Sequence, residues 1–185
     1  MRKSGQIAVA VLAAALAVPA VHAAQEPGPA PSSPYAGQQA RPIKALSPDE
    51  IEGYRSGAGM GLAKAAELNH YPGPRHVLDL AGPLGLTEAQ RTQVQASFER
   101  MQREARELGA RLVDEEAALD AAFASGSITS ADLDARLARI AGLQGCIRAA
   151  HLRAHIETRA ELGDQQVRHY DALRGYAAGA PHVHH

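Results

Sequence analysis

The chain has 185 residues, 4% of them aromatic, with no tryptophan, two phenylalanines and one cysteine. That length suits one domain. Near balance between 19 basic and 20 acidic side chains argues against nucleic acid as the main partner, and a lone Cys146 excludes an internal disulfide. Few aromatics and abundant alanine favour helices packed through small and aliphatic side chains, an all-α fold, over a sheet sandwich or a large enzyme core.

Arg2 and Lys3 precede an apolar run, Ile7–Val18, that is short for a membrane span. Pro19 and the small residues of Val21-His22-Ala23-Ala24 follow. The pattern is that of a secretory leader, residues 1–23, cut after Ala23 or Ala24; an uncleaved anchor is the alternative. Loss of the leader leaves 17 basic against 20 acidic side chains. No second apolar run exists, so no membrane span is expected after cleavage. Residues 24–45, rich in Pro, Gly, Ser and Gln, read as a flexible tether. Residues 46–178 read as a helical domain, and 179–185 as a loose tail carrying His182, His184 and His185.

Within the domain, Ser47 is placed to cap a helix that starts at Pro48 and ends near Arg55. Glu50 is its reciprocal partner, and Leu46 and Ile51 form a hydrophobic staple. Short helices are expected over Leu62–Leu68 and from Pro74 to about Ala81. The Leu86-Thr87-x-x-Gln90 cluster is a helix-start device: Thr87 caps and Gln90 returns the bond. It opens a long helix from Glu88 to about Ala124 with Val94, Phe98, Met101, Ala105, Leu108, Leu112, Leu119 and Phe123 as a coiled-coil-like seam. Glu99–Arg103, Arg100–Glu104 and Glu107–Arg111 are spaced for i,i+4 pairing. Glu115 falls on the seam; it either pairs with Arg136 or Arg139 across the hairpin, or marks a stutter. Ile128-Thr129-x-x-Asp132 repeats the start signal. A second long helix then runs from Ser130 to about Leu162, with Leu133, Leu137, Ile140, Gln144, Ile147, His151, Ala154 and Thr158 as its stripe. Two such helices with a short turn between them fold back as an antiparallel hairpin. Gly163 to Val167 is a weaker start signal for a last helix to about Tyr176.

The Leu-Thr-x-x-Gln cluster, the degenerate copy Leu162-Gly163-Asp164-Gln165-Gln166, the leader and the long hairpin together resemble the Spy/CpxP family of bacterial periplasmic proteins, over roughly Leu84–Tyr176. The stretches Ser33–Gly37, Ile43–Ser47, Gly59–Ala81 and Tyr170–Tyr176 resemble uncharacterised proteins near that family, some described as periplasmic heavy-metal sensors. The resemblance implies a four-helix cradle, often a homodimer, located in the periplasm. It also implies ATP-independent chaperoning of non-native envelope proteins, modulation of envelope stress through a sensor protein, or metal sensing. The N-terminal segment Tyr35–Gly82 departs from the chaperone members.

For a chaperone, a client surface of Arg100, Arg103, Arg106, Arg148 and Arg153 among small apolar patches is the expectation, and no cofactor is required. For a metal protein, His151 and His155 lie one turn apart on one helix face, as a chelate needs. Folding the hairpin near residue 126 brings His151 toward Met101 and His155 toward Phe98 and Glu99. Two imidazoles with a thioether or carboxylate suit a transition metal such as Cu, Ni, Co or Zn. The competing reading makes both histidines buried structural groups. His70 and His76 read as surface residues beside a Pro-Gly turn, and Cys146 as a small buried apolar residue. There is no phosphate loop, no Ser-His-Asp order and no base beside Cys146, so an enzyme is not expected.

Overall fold

Three of the described helices start at a side-chain cap that the sequence announces. The computed structural model describes residues 33–176, and the expected leader and histidine-bearing tail lie outside the described residues. Ser47 caps helix α1 (Pro48–Ser56), accepting from Glu50 N while the Glu50 carboxylate accepts from Ser47 N. Two short helices follow, α2 (Lys64–Glu67) and α3 (Pro74–Asp79). Thr87 and Gln90 form the expected capping box on α4 (Glu88–Ala124). Thr129 caps α5 (Ser130–Glu161) by accepting from Asp132 N. Gly163 has no side chain to offer, so at α6 (Asp164–Leu173) only the Gln166 half of the box forms.

Helices α4 and α5 pack together as the antiparallel hairpin; α1 lies on α4, and α2 and α3 lie over the hairpin. From Gly37 onward the described chain forms one compact unit. Packing begins earlier than Leu46. Ile43 is buried with Leu46 and Val113, and Lys44 binds Asp120 through both its backbone N–H and its ammonium, so the end of the expected tether belongs to the folded unit. No helix among the described residues is long and apolar enough to cross a membrane.

The seam differs from the sequence pattern in instructive places. On α4, Ser97, Gly109 and Val113 are buried, whereas Phe123 is 57% exposed. On α5, Leu143, Ala150 and His155 are buried, while Gln144 is exposed and Leu137 is 45% exposed. A third covering element explains the difference. With α1 and the α2–α3 segment on one side, the hairpin buries a face wider than a two-helix seam. At Gly109 the end of α1 comes close: an added Cβ would stand 2.0 Å from the Tyr54 carbonyl oxygen. Glu115 pairs with Arg139, 3.1 Å from carboxylate to guanidinium, so a cross-hairpin ion pair occupies that seam position. Arg100 and Glu104 do not pair with each other; each reaches across the hairpin, Arg100 to Glu157 and Arg153 to Glu104. Cys146 is exposed rather than buried.

The motif glutamine has a second task. Its side-chain amide donates to the Glu161 carbonyl at 2.7 Å and exchanges two hydrogen bonds with the amide of Gln166, at 2.9 and 3.1 Å. Gln166 also donates to the Leu84 carbonyl. The two copies of the start signal therefore meet, and their glutamines tie the beginning of α4 to the end of α5 and the start of α6. Beneath them lies an apolar cluster of Val77, Leu84, Val94, Leu162, Val167 and Tyr170.

Candidate metal centre

The core is divided. One apolar cluster sits at the glutamine end, and another, Leu112, Ile140, Leu143 and Ile147, sits toward the hairpin turn. Between them the buried hairpin positions are Ser97, Met101, Ala105, Ala150, His151, Ala154, His155 and Thr158. Alanines and a serine fill less volume than leucines. Where the α2–α3 segment spans this layer a cavity of about 670 Å³ remains, lined by Met60, Phe98, Met101, His151 and His155 among others. Its remaining walls are mostly apolar or small, with Glu67 and His76 at one side and Lys64, Arg75 and Arg106 also among its lining residues.

The two helix histidines are held differently. His155 is 8% exposed and shares a 2.7 Å hydrogen bond between Nδ1 and the Tyr71 carbonyl. A carbonyl only accepts, so Nδ1 carries a proton, and Nε2 is the ring nitrogen left to face another partner. This is the support that metal-binding imidazoles receive in general. Gly73 makes it sterically feasible: a Cβ there would stand 2.9 Å from His155 Cε1 and 3.1 Å from Nε2. His151 is 4% exposed, and its Nε2 has no hydrogen-bond partner. Burial, with His155 close by adding to it, pushes His151 below the ordinary imidazole range, so at neutral pH the ring is uncharged. A buried, unpaired ring nitrogen costs free energy unless something binds it.

Glu67 anchors the wall beside His155. Its carboxylate accepts from Tyr170 Oη at 2.5 Å, Tyr176 Oη at 3.2 Å and Gly73 N at 3.0 Å. It also faces Arg174, His76 and His155 at 3.6–3.7 Å. Desolvation and the neighbouring carboxylate push Tyr170 far above the usual phenol range, which keeps it a donor. Glu67 gave no signal in the sequence because α2 is a four-residue helix whose orientation depends on α6, a hundred residues away. His70, exposed as expected, binds the buried Asp171 at 2.7 Å. His76 is half-buried at the cavity wall, not on the open surface.

The residues singled out in the sequence are thus partly brought together. His151, His155, Met101 and Phe98 line one cavity. Glu99 does not join them: it is exposed and bound to Gln95 and Arg103 along its own helix face. The arginines expected to form an open client surface are mostly engaged. Arg100, Arg103 and Arg153 hold Glu157, Glu99 and Glu104, and Arg106 donates to the Ser56 carbonyl. Among the described residues no three His, Cys, Asp or Glu side chains are grouped to hold a metal ion. The donors that fit an ion are two imidazoles and the Met101 thioether, with Met60 on the same cavity. That set suits a soft or borderline ion and leaves it under-coordinated.

A family described as heavy-metal resistance matches residues 58–169, more than half of the chain. No curated protein and no solved structure matches.

Proposed function

The chain belongs to the heavy-metal resistance family, and from that premise we propose that it binds a transition-metal ion in the cavity between the α2–α3 segment and the hairpin. One observation carries the reading: the buried, partnerless Nε2 of His151 in the wall of a cavity that also presents His155 and Met101. His151 and His155 would supply imidazole nitrogen and Met101 a thioether sulfur. Gly73, Tyr71 and Glu67 would hold the His155 ring and the loop above it. A bound ion would satisfy the orphaned nitrogen and link α5 to α4. The leader expected over residues 1–23 would carry the protein to the periplasm, where it would sense or sequester metal. The chaperone or stress-modulator reading has less support, because four of its five arginines are already paired.

The test uses the mature chain with His182, His184 and His185 replaced by alanine, so that the tail does not bind metal. Titration with Zn(II) or Cu(I) against a competing chelator should give one ion per chain, with affinity falling as the solution is made acid, because only a neutral imidazole ligates. His151→Ala and His155→Ala should each remove most of the binding. Met101→Leu should weaken Cu(I) more than Zn(II). Binding untouched by both histidine replacements would defeat the assignment.

A further inference from the structure

The imidazoles form one side of a cavity that a metal ion leaves mostly empty. An ion with one or two waters fills on the order of 100 Å³, against about 670 Å³ available. Cavities of roughly 300–1,000 Å³ with mostly apolar walls are those that take small organic ligands. Here Ala63, Pro74 and Met101 are buried in the walls and Phe98 is half-buried. Met60 and Leu68 carry the apolar lining out to solvent, where both are exposed. Met60 keeps that place at a cost. Its φ of 45° lies in the left-handed region, which is uncommon for a residue with a side chain. Its thioether is packed so close to α1 that a Cβ on Gly53 would stand 2.7 Å from Sδ.

The charges on the lining are unequal. Glu67 is the one carboxylate there, and it is already met by Tyr170, Tyr176 and the Gly73 N–H, with Arg174 facing it. Three exposed cations share the lining: Lys64, Arg75 and Arg106. Among the described residues Lys64 and Arg75 have no ion-pair partner, and Arg106 spends only its Nε, on the Ser56 carbonyl. We propose that the cavity binds a single-chain anionic amphiphile, with its aliphatic chain in the apolar volume and its carboxylate or phosphate head held by Lys64, Arg75 and Arg106. Guanidinium groups present paired N–H donors that match such oxyanions. The chain is held by burial alone, which is non-directional and grows with each methylene. A cationic head would sit beside three like charges. The proposal uses the walls and the rim cations, not the imidazoles, so it stands or falls apart from the metal reading.

The experiment is calorimetric titration of the mature protein, kept metal-free by a chelator, with octanoate, decanoate and dodecanoate below their micellar concentrations. The expected result is saturable binding of one carboxylate per chain, tightening about fourfold with each added methylene. Dodecyl phosphate tells which oxyanion the rim takes. Dodecyltrimethylammonium should bind at least about tenfold more weakly than the anions. Lys64→Glu with Arg75→Glu, both at exposed positions, should weaken dodecanoate about tenfold or more. Arg148→Glu with Arg168→Glu makes the same change of net charge at exposed residues off the cavity, and should alter affinity by no more than about twofold because distant exposed charges are screened. Helical circular dichroism checks that both double variants are folded. Absence of saturable binding by both dodecanoate and dodecyl phosphate would overturn the proposal and leave the metal site untouched. Affinity indifferent to chain length, equal binding of the cationic amphiphile, or equal losses in the two double variants would overturn it as well.

Discussion

Replacing Gly109 by alanine tests the seating of α1 on the hairpin. The change puts a Cβ 2.0 Å from the Tyr54 carbonyl oxygen, 2.7 Å from its carbon and 3.2 Å from its Cα. Carbon and carbonyl oxygen approach comfortably at about 3.3 Å, so the backbone at the end of α1 must retreat by more than 1 Å. No side-chain rotation relieves the contact. Tyr54 packs against both the Leu112 and the Val113 clusters, and its carbonyl also accepts the Gly57 N–H that terminates α1. Overpacking of this kind costs about 1–3 kcal/mol. Alanine returns about 1 kcal/mol through helix propensity. The balance is a loss of about 0–2 kcal/mol, with the melting temperature falling roughly 2–4 °C per kcal/mol in a chain of this size. Gly145→Ala is the matched control: it lies in the interior of α5 with nothing within 4 Å of an added Cβ, so it gains the propensity term alone and should melt higher. The assay is thermal unfolding of both variants followed by helical circular dichroism. If Gly109→Ala melts above the wild type, α1 does not sit on α4 as described.

Thr87→Ala should cost about 1 kcal/mol through the lost cap, and Gln90→Ala about 2 kcal/mol, because it also removes the bonds to Glu161 and Gln166; equal denaturation midpoints for the two would refute that second role. His151 and His76 are both held below the ordinary imidazole value by burial. The unfolded chain therefore takes up protons below about pH 6.5 that the folded chain refuses, and stability, level above that pH, should decline as pH falls through it. Metal-free melting curves between neutral and mildly acid pH check this, and a flat profile would count against the buried placement of His151. Gly73→Ala should press on the His155 ring and weaken metal binding about tenfold, in the range expected for residues that position a ligand. Chelator competition reads that change, and unaltered affinity would show that the ring has room to move.

The helices were legible because their punctuation is local. Ser47, Thr87 and Thr129 bond to residues three positions on, so spacing alone reveals them. The hairpin was legible for a related reason, since two long periodic runs with a short turn between them have one way to pack. The contents of the seam were less so. Gly109 and Ser97 look like weak seam residues until the partner is known, and each is small because something lies against it: the Tyr54 backbone on Gly109 and the Glu157 carboxylate on Ser97. The presence of His151 and Met101 on one cavity follows from hairpin arithmetic. Glu99, only one residue from Phe98, was misplaced by the same arithmetic, because a single step turns a helix by about 100°. Glu67 was invisible, since its partners Tyr170 and Tyr176 come from the far end of the chain and no periodicity links them.

The glutamine pair makes the two ends of the hairpin unequal. At that end α4, α5 and α6 are joined through Gln90 and Gln166 over a buried cluster. At the other, from residue 121 to residue 139, no residue is buried. Opening free energy should therefore be graded along the length of the molecule, with amide protons near the turn exchanging through local fraying and those near Val94 and Tyr170 only through global unfolding. The histidine layer lies between these regimes. An ion that clamps α4 to α5 there would act as a stop on the fray, extending the rigid region toward the turn. In such a molecule occupancy is written as the distance that order propagates along two helices, which a partner could read without touching the ion.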